Sequence, residues 1–307
     1  MRIGIVGAGG IGGYLAAQLI EAGQEVALVA RGAHGAAIAR DGLRFIAPEG
    51  VRVVRAALVS EDAAAAGVCD LVILAVKAHQ LAGAIEAARP MLGPATQALT
   101  FQNGVEAPEM CAEAYGRERA LIGVARIFVN ITGPGEITLR EGPRRFVVGD
   151  IDGRQEGRAA PVIAAFRAAG IDCPARADVR VELWEKFLLF NAVSSTTAGA
   201  RTTMGVVREV PELWALFETL VRETEALARA RGIPLPPDAV ERALKAGRAT
   251  PAGARSSTAH DLEMGRPLEI DWLCGAVARL SAEAGLEAPA SRTVHALLAP
   301  WREGARP

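Results

Sequence analysis

The feature that most constrains this chain is a glycine-rich loop between an N-terminal strand pattern and a helix pattern. Residues 2–6 form a short apolar run typical of a strand, and residues 11–22 have the apolar spacing of a helix. Between them, glycines at positions 7, 9 and 12 permit a tight turn, close approach to a pyrophosphate and close helix–strand packing. The loop therefore predicts a dinucleotide-phosphate site made of Gly7, Ala8, Gly9, Gly10, Ile11 and Gly12. The alternative is a glycine-rich turn without a ligand.

Strand and helix patterns alternate through the first half of the chain, and only helix patterns follow. Strands are predicted at 25–30, 51–59, 70–76, 97–101, 121–131, 136–140, 145–148 and 171–173, with helices at 81–92 and 157–169 and turns at 133–135 and 142–143. Beyond residue 179, helices are predicted at 181–193, 212–231, 238–246, 256–264 and 270–285. The α/β pattern predicts a doubly wound parallel sheet domain over residues 1–177 and an all-helical domain over residues 178–307.

The end of the second predicted strand bears on the choice of nucleotide. NAD-dependent folds generally carry Asp or Glu there, whereas this chain has Ala30 followed by Arg31, and the next carboxylate downstream is Asp41. A guanidinium pairs with a 2′-phosphate through charge-assisted hydrogen bonds, so NADP(H) is favoured. The alternative is an ordinary surface arginine, because arginine is abundant in this chain.

Two further polar residues follow predicted strands directly. Lys77 comes after the fourth strand and Asn103 after the fifth. Since the carboxyl ends of parallel strands share one rim, where such sheets bind ligands, both are expected near the glycine loop. Lys77 offers an ammonium, and Asn103 offers a donor and an acceptor, to cofactor or substrate. Their alternatives are a solvated loop lysine and a simple Asn-Gly turn.

Lysine is scarce in this chain, which has only Lys77, Lys186 and Lys245. Lys186 lies within residues 183–190, a segment that is apolar nearly all round and is predicted to be buried. A surface pair with Glu182 is the structural alternative, but arginine would serve such a pair equally well. An ammonium can release its proton at accessible pH, so a partly desolvated lysine beside a carbonyl is a candidate general acid.

Composition excludes several classes of partner. The formal net charge of -1 gives no case for nucleic-acid binding, and no apolar run approaches the roughly 20 residues of a membrane span. The four cysteines are widely spaced without a C-x-x-C pair, which indicates neither a zinc site nor a disulfide framework. We therefore expect a cytoplasmic protein without a metal, acting on a small molecule as a monomer or homodimer.

Several short motifs together resemble the ketopantoate reductase (2-dehydropantoate 2-reductase) family over essentially the whole chain. They are the glycine loop, Val76-Lys77, Gln102-Asn103-Gly104, Leu183-Trp184-Glu185-Lys186, and Ser256-Ser257 with Asp261 and Glu269-Ile270-Asp271. The resemblance implies a Rossmann-type domain followed by a helical domain similar to the C-terminal domain of 6-phosphogluconate dehydrogenase. It also implies hydride transfer from NADPH to ketopantoate, giving (R)-pantoate for pantothenate and coenzyme A synthesis.

The resemblance assigns expected roles to individual residues. Lys186 would be the general acid and Glu269 a catalytic partner close to it, while Arg31 would hold the 2′-phosphate. Lys77 and Asn103 would contact both cofactor and substrate, and Ser257 would bind the substrate carboxylate. Ser194, on the same predicted helix as Lys186, completes the expected substrate-binding set.

The chain departs from the family pattern next to Lys186. Well-studied members carry asparagine four and eight residues after the lysine, where this chain has Phe190 and Ser194. Asn191 comes one residue after the first of these two positions. On an ideal helix its side chain therefore points about 100° away from that position, unless a π-bulge realigns it. Phe190 would make the pocket more apolar. Reduction of a bulkier 2-oxo acid, as in mandelate-type dehydrogenases, is therefore an alternative, and a non-catalytic NADP(H) sensor is another.

Overall fold

The computed structural model describes residues 1–305, which form two compact units. The first unit contains Met1–Gln102 and Glu106–Glu182, and the second contains Asn103–Val105 together with the chain from Leu183 onward. The chain therefore divides five residues beyond the boundary expected from sequence, and the short segment around Asn103 groups with the helical unit rather than with the sheet.

The first unit is built on one nine-stranded sheet. Its strands are β1 (Arg2–Val6), β2 (Glu25–Val29), β3 (Leu43–Ala47), β4 (Gly50–Val54), β5 (Leu58–Ser60), β6 (Cys69–Leu74), β7 (Leu92–Thr100), β8 (Ala120–Gly133) and β9 (Glu136–Asp150). They lie in the order β4-β3-β9-β8-β7-β6-β1-β2-β5. The run from β5 to β8 is entirely parallel, whereas β8 pairs with β9, and β3 with β4, in the antiparallel sense.

Helices cover both faces of this sheet. They are α1 (Gly10–Glu21), α2 (Gly32–Asp41), α3 (Leu81–Ala88), α4 (Ala107–Tyr115) and α5 (Ala160–Ala168). Alternate β2 residues enter two separate apolar clusters: Leu28 belongs to the cluster that also contains side chains of α1 and α5, and Val29 to the cluster that also contains side chains of α3 and α4. Burial on both faces explains the continuously apolar strands and confirms the doubly wound sheet predicted from sequence.

The predicted elements differ from the structure mainly in the outer part of the sheet. The single strand expected at 51–59 is split into β4 and β5, and neither β3 nor α2 was predicted. Gly142-Pro143 lies inside β9 instead of forming a turn: the β8–β9 ladder shifts register between Ile127 and Val129 and then continues. An antiparallel pair can accommodate such a segment as a bulge, so the proline does not end the strand. The expected strand near 171–173 is only an isolated bridge at Asp172.

The second unit is helical within the part of the chain that the structure describes. Its helices are α6 (Val179–Gly199, which begins in the first unit), α7 (Met204–Glu209), α8 (Pro211–Ala230), α9 (Ala239–Ala249), α10 (Ser257–Glu263), α11 (Cys274–Glu283) and α12 (Pro289–Leu298). The helix expected over 270–285 is divided, because a 3₁₀ turn at Ile270–Trp272 ends at Leu273 before α11 begins. No helix within residues 1–305 is long and apolar enough to cross a membrane.

Candidate active site

The glycine loop adopts the geometry that its spacing predicts. Gly7 has a φ of 99°, in the region that favours glycine, and its N–H donates to the Val29 carbonyl. A Cβ added at Gly12 would lie 1.9 Å from the Gly7 carbonyl oxygen. The first glycine therefore makes the turn, and the third allows α1 to pack directly against it.

The middle of the loop faces open space. Gly9 is the N-cap residue of α1, and a Cβ placed on it would meet no atom within 4 Å. The first turn of α1 carries no acidic residue. Free backbone N–H groups at a helix N-terminus favour an anion, and a carboxylate there would oppose one. The residues present thus fit the pyrophosphate of a dinucleotide.

His34 supports this loop and was not singled out by the sequence. Its Nε2 lies 2.9 Å from the Ala8 carbonyl oxygen, and its Nδ1 accepts a hydrogen bond of 3.0 Å from the Gly135 N–H. His34 is half-buried on α2, a helix that the sequence did not predict. No local motif marks a histidine for this role, because its partners are backbone atoms far away in sequence.

Arg31, which the sequence suggests as the ligand of a 2′-phosphate, precedes a residue that is bonded to a carboxylate. Arg31 is exposed and is the N-cap residue of α2. The N–H of the next residue, Gly32, donates a 2.8 Å hydrogen bond to Glu61. Sequence reasoning missed Glu61 because it follows β5, well removed from Arg31 along the chain. The Glu61 carboxylate is thus bonded to the backbone of the residue that follows Arg31.

The ends of β6 and β7 are tied together, as expected for neighbouring parallel strands. Gln102 Nε2 donates to the carbonyls of Leu74 at 2.9 Å and Val76 at 3.0 Å. Lys77 follows at once, exposed, as the N-cap residue of a 3₁₀ turn. This places the Lys77 backbone at the carboxyl end of the sheet.

Three predicted residues meet in the second unit. Lys186 Nζ donates to Asn103 Oδ1 at 3.3 Å, and Asn103 Nδ2 donates to Glu269 Oε2 at 3.3 Å. Glu269 is only 4 % exposed, whereas Lys186 and Asn103 are half-buried. The amide of Asn103 thus bridges an ammonium and a buried carboxylate, using its acceptor for one and its donor for the other.

Backbone geometry holds Asn103 in this position. The next residue, Gly104, has a φ of 91°, and a Cβ on it would lie 2.5 Å from the Trp272 carbonyl oxygen. Only glycine allows this segment to approach the 3₁₀ turn that immediately follows Glu269. The close approach explains why Asn103 belongs with the helical unit although it follows a strand of the sheet.

The surroundings of Lys186 are apolar. Its Nζ lies 5.5 Å from the centre of the Phe190 ring, a cation–π distance. A shallow pocket here is lined by Gly104, Leu183, Lys186, Phe187 and Phe190. The ammonium therefore lies near an aromatic ring as well as beside the Asn103 amide.

The sequence also allowed a surface pair between Glu182 and Lys186, but the Glu182 carboxylate bonds to two arginines instead. In the first unit it accepts hydrogen bonds from Arg126 at 3.0 Å and Arg176 at 2.9 Å. Burial raises the pKa of this carboxyl, but the hydrogen bond from Arg176 and the charge of Arg126 outweigh burial and hold the pKa below its usual value. The carboxylate is thus engaged by two arginines.

Asn191 is part of the core packing of the second unit. It is fully buried, donates to Thr224 Oγ1 at 3.1 Å and accepts from Ser195 Oγ at 3.3 Å. Helix α6 is α-helical from Val179 to Gly199, so no π-bulge turns Asn191 onto the face of Lys186. The asparagine that could have restored the family pattern instead links α6 to α8.

The three remaining polar candidates differ in burial. Ser194 is 1 % exposed, and its hydroxyl has no hydrogen-bond partner among residues 1–305. Ser257 is exposed at the start of α10, whereas Asp261 on the same helix is buried. Of the adjacent serines Ser256 and Ser257, Ser256 is the buried one, and it caps α10 by accepting from the Ala259 N–H at 3.0 Å. Within residues 1–305, no His, Cys, Asp or Glu cluster could hold a metal ion.

Comparison with known proteins gives the family. Residues 3–153 match the family described as Ketopantoate reductase PanE/ApbA, and residues 178–302 match its C-terminal counterpart. The chain belongs to the ketopantoate reductase family. A 2-dehydropantoate 2-reductase of Mesorhizobium japonicum is 36 % identical over 306 residues, covering 91 % of each chain. One from Halobacterium salinarum is 30 % identical, covering 96 % of each chain.

Solved structures support the fold of a ketopantoate reductase. A PanE/ApbA family ketopantoate reductase from Ralstonia eutropha JMP134 superposes with a TM-score of 0.89, at 32 % identity and covering 98 % of each chain. A ternary structure of D-mandelate dehydrogenase with NADH and anilino(oxo)acetate superposes with a TM-score of 0.87 at 21 % identity, covering 98 % of each chain. At that identity the second likeness concerns the fold alone. Together they confirm the predicted architecture of a sheet domain followed by a helical domain.

Proposed function

We propose that this protein reduces 2-dehydropantoate to (R)-pantoate with NADPH, as a step of pantothenate synthesis. The observation that carries the proposal is the hydrogen-bonded series Lys186–Asn103–Glu269. It joins the residues that the resemblance assigns to catalysis, and relatives that cover nearly the whole chain are named 2-dehydropantoate 2-reductases. The family is an oxidoreductase family, and the choice of NADPH over NADH rests on Arg31.

The cofactor would be held by the first unit. The N–H groups at the start of α1 would bind its pyrophosphate, Arg31 its 2′-phosphate, and Lys77 would reach an oxygen of cofactor or substrate. The open space beside Gly9 is the feature that supports this assignment. When bound, reduced nicotinamide supplies the hydride that attacks C2 of the substrate.

Lys186 would supply the proton. As hydride adds to C2, the C2=O π electrons move to oxygen, and Nζ donates its proton to the resulting alkoxide. Asn103 Oδ1 accepts one N–H of the ammonium and thereby fixes the direction of the others, while Glu269 fixes the amide through its second end. The Phe190 ring, 5.5 Å from Nζ, would limit water there and so strengthen the electrostatic interaction with developing negative charge.

The helical unit would contribute its own groups to substrate binding. Ser257 offers an exposed hydroxyl for the substrate carboxylate, and Ser194 offers a buried hydroxyl without a protein partner among residues 1–305. Leaving a buried hydroxyl without a hydrogen-bond partner costs about 1–3 kcal/mol of folding free energy. Binding a polar group of the substrate would recover part of that free energy.

A panel of 2-oxo acids tests the proposal. NADPH oxidation is measured at 340 nm with ketopantoate, 2-oxoisovalerate and phenylglyoxylate, each over a range of concentrations. The proposal expects the highest kcat/KM with ketopantoate and (R)-pantoate as the product by chiral chromatography. If ketopantoate is the poorest of the three, the substrate assignment fails. Lack of turnover with every acid, despite NADPH binding, would favour the sensor alternative.

Phe190 favours a second candidate, reduction of a 2-oxo acid with a bulkier apolar substituent. The ring lines the pocket beside Lys186 at the position where well-studied relatives have an asparagine. An apolar wall gains free energy from an aromatic substituent and offers no hydrogen bond to a substrate hydroxyl. The same fold in a D-mandelate dehydrogenase accommodates anilino(oxo)acetate and NADH. A preference for phenylglyoxylate in the panel would select this candidate.

A further inference from the structure

We propose that His34 is a positioning residue for dinucleotide binding: its ring fixes the peptide between Ala8 and Gly9 so that the Gly9 N–H faces the cofactor phosphates. His34 does not need to touch the cofactor for this role. The proposal rests on the proposed function only in taking the glycine loop as the cofactor site.

The two hydrogen bonds of His34 assign a donor and an acceptor role to its ring nitrogens. Gly135 contributes a backbone N–H, so Nδ1 must accept with its lone pair. The Ala8 carbonyl can only accept, so Nε2 carries the proton and donates it. His34 therefore joins the glycine loop to the β8–β9 turn through its two ring nitrogens.

The β8–β9 turn, which contains Gly135, anchors the His34 ring. Gly135 has a φ of 73°, and a Cβ on it would lie 2.9 Å from the Ala37 Cβ. Only glycine lets the β8–β9 turn come this close to α2. The Gly135 carbonyl in turn accepts from the Arg44 N–H at 2.9 Å, so both polar groups of this residue are held. The ring is thus fixed from the side opposite the glycine loop.

The consequence for the loop follows from peptide geometry. In a planar trans peptide, the C=O of one residue and the N–H of the next point in opposite directions. By holding the Ala8 carbonyl oxygen, His34 directs the Gly9 N–H the other way. A rotated peptide would present the carbonyl oxygen instead, and a carbonyl oxygen repels a phosphate. Glycine at position 9 makes such a rotation accessible, so an external restraint has a function here.

Direct binding measurements on three variants test this proposal. NADPH and NADH dissociation constants are measured by cofactor fluorescence for the wild type, His34→Ala, His34→Gln and Arg40→Ala. Glutamine offers an amide donor and acceptor that can serve the same two backbone groups. Arg40→Ala is the matched control, because Arg40 lies on the same helix with an exposed side chain paired to Asp41. Thermal unfolding of each variant monitors the fold.

We expect His34→Ala to raise the Kd of NADPH about 10-fold, the effect of losing roughly 1.4 kcal/mol of preorganisation. The KM for the cofactor should rise in parallel, with kcat at saturating cofactor and the KM for the oxo acid nearly unchanged. His34→Gln should recover most of the affinity, and Arg40→Ala should bind like the wild type. Unchanged affinity in His34→Ala would overturn the proposal, as would equal losses in all three variants.

The outcome is separable from that of the proposed function. A wild type that binds NADPH but reduces none of the oxo acids would refute the function, whereas the affinity comparison would still decide the role of His34. Conversely, efficient ketopantoate reduction with unimpaired binding in His34→Ala would refute only the positioning role. Failure of the wild type to bind either dinucleotide would refute both.

Discussion

Asn103 accepts a hydrogen bond from Lys186 at 3.3 Å although 83 residues separate them in the chain. The same amide donates to Glu269, so a single side chain sets the geometry of a potential proton donor and of a buried carboxylate. An amide performs this task without adding charge, which keeps the ammonium and carboxylate as the only charges in the series.

Replacing Asn103 is expected to reduce catalysis more than binding. In Asn103→Ala, Lys186 loses its fixed acceptor, and a small misplacement of a reacting group can cost about 10²-fold in rate. Asn103→Asp keeps the acceptor for Lys186 but places a second carboxylate against Glu269, so it should also lose activity. Steady-state kinetics should give kcat at least about 10-fold lower for both variants, with a smaller loss of NADPH affinity. Wild-type kcat in Asn103→Asp would show that the contact with Glu269 is dispensable.

Arg31→Ala should weaken the binding of NADPH more than the binding of NADH. A charge-assisted hydrogen bond contributes about 1.5–3 kcal/mol, which corresponds to roughly 10–100-fold in Kd for the phosphorylated cofactor. Glu61→Gln removes the negative charge bonded to the Gly32 N–H. The Kd of NADPH should therefore fall, and the Kd of NADH should stay nearly unchanged. Fluorescence titration of both cofactors against both variants measures these ratios. Equal losses for NADPH and NADH in Arg31→Ala would mean that the 2′-phosphate is bound elsewhere.

Phe190→Asn should shift the choice of 2-oxo acid. The variant restores an amide beside Lys186 and removes an apolar wall, so it should favour a hydroxylated substrate over an aromatic one. We expect the ratio of kcat/KM for ketopantoate over phenylglyoxylate to rise about 10-fold. Phe190→Leu is the control, because it keeps the wall apolar and should move the ratio far less. An unchanged ratio in Phe190→Asn would remove Phe190 from the specificity pocket.

Asn191→Ala should affect stability and leave specificity unchanged. The substitution deletes the partner of Thr224 and Ser195 in a fully buried position, so the free energy of unfolding should fall by about 1–3 kcal/mol. Urea unfolding of the variant measures this loss. The ratio of kcat/KM values across the panel should equal that of the wild type. A changed ratio at undiminished stability would place Asn191 in the substrate pocket.

The sheet core, the glycine loop and the position of Lys186 in an apolar helix could be predicted from the sequence because their signals are local. The glycine spacing, the apolar strands and the lysine in an apolar helix each act within a few residues. His34, Glu61 and the packing of Gly104 against Trp272 act through backbone contacts between distant segments, and such contacts leave no periodic pattern. Likewise, whether Asn191 faced Lys186 or the core depended on α6 remaining regular, which residue identity alone did not decide.

The central claim is that Lys186 donates the proton that accompanies hydride transfer, and single-turnover reduction of ketopantoate by Lys186→Ala tests it most directly. We expect NADPH to bind the variant normally while its oxidation slows by about 10²–10⁴-fold, as for loss of a general acid. Lys245→Ala, at an exposed position on α9, should react like the wild type. Wild-type hydride-transfer rates in Lys186→Ala would contradict the account.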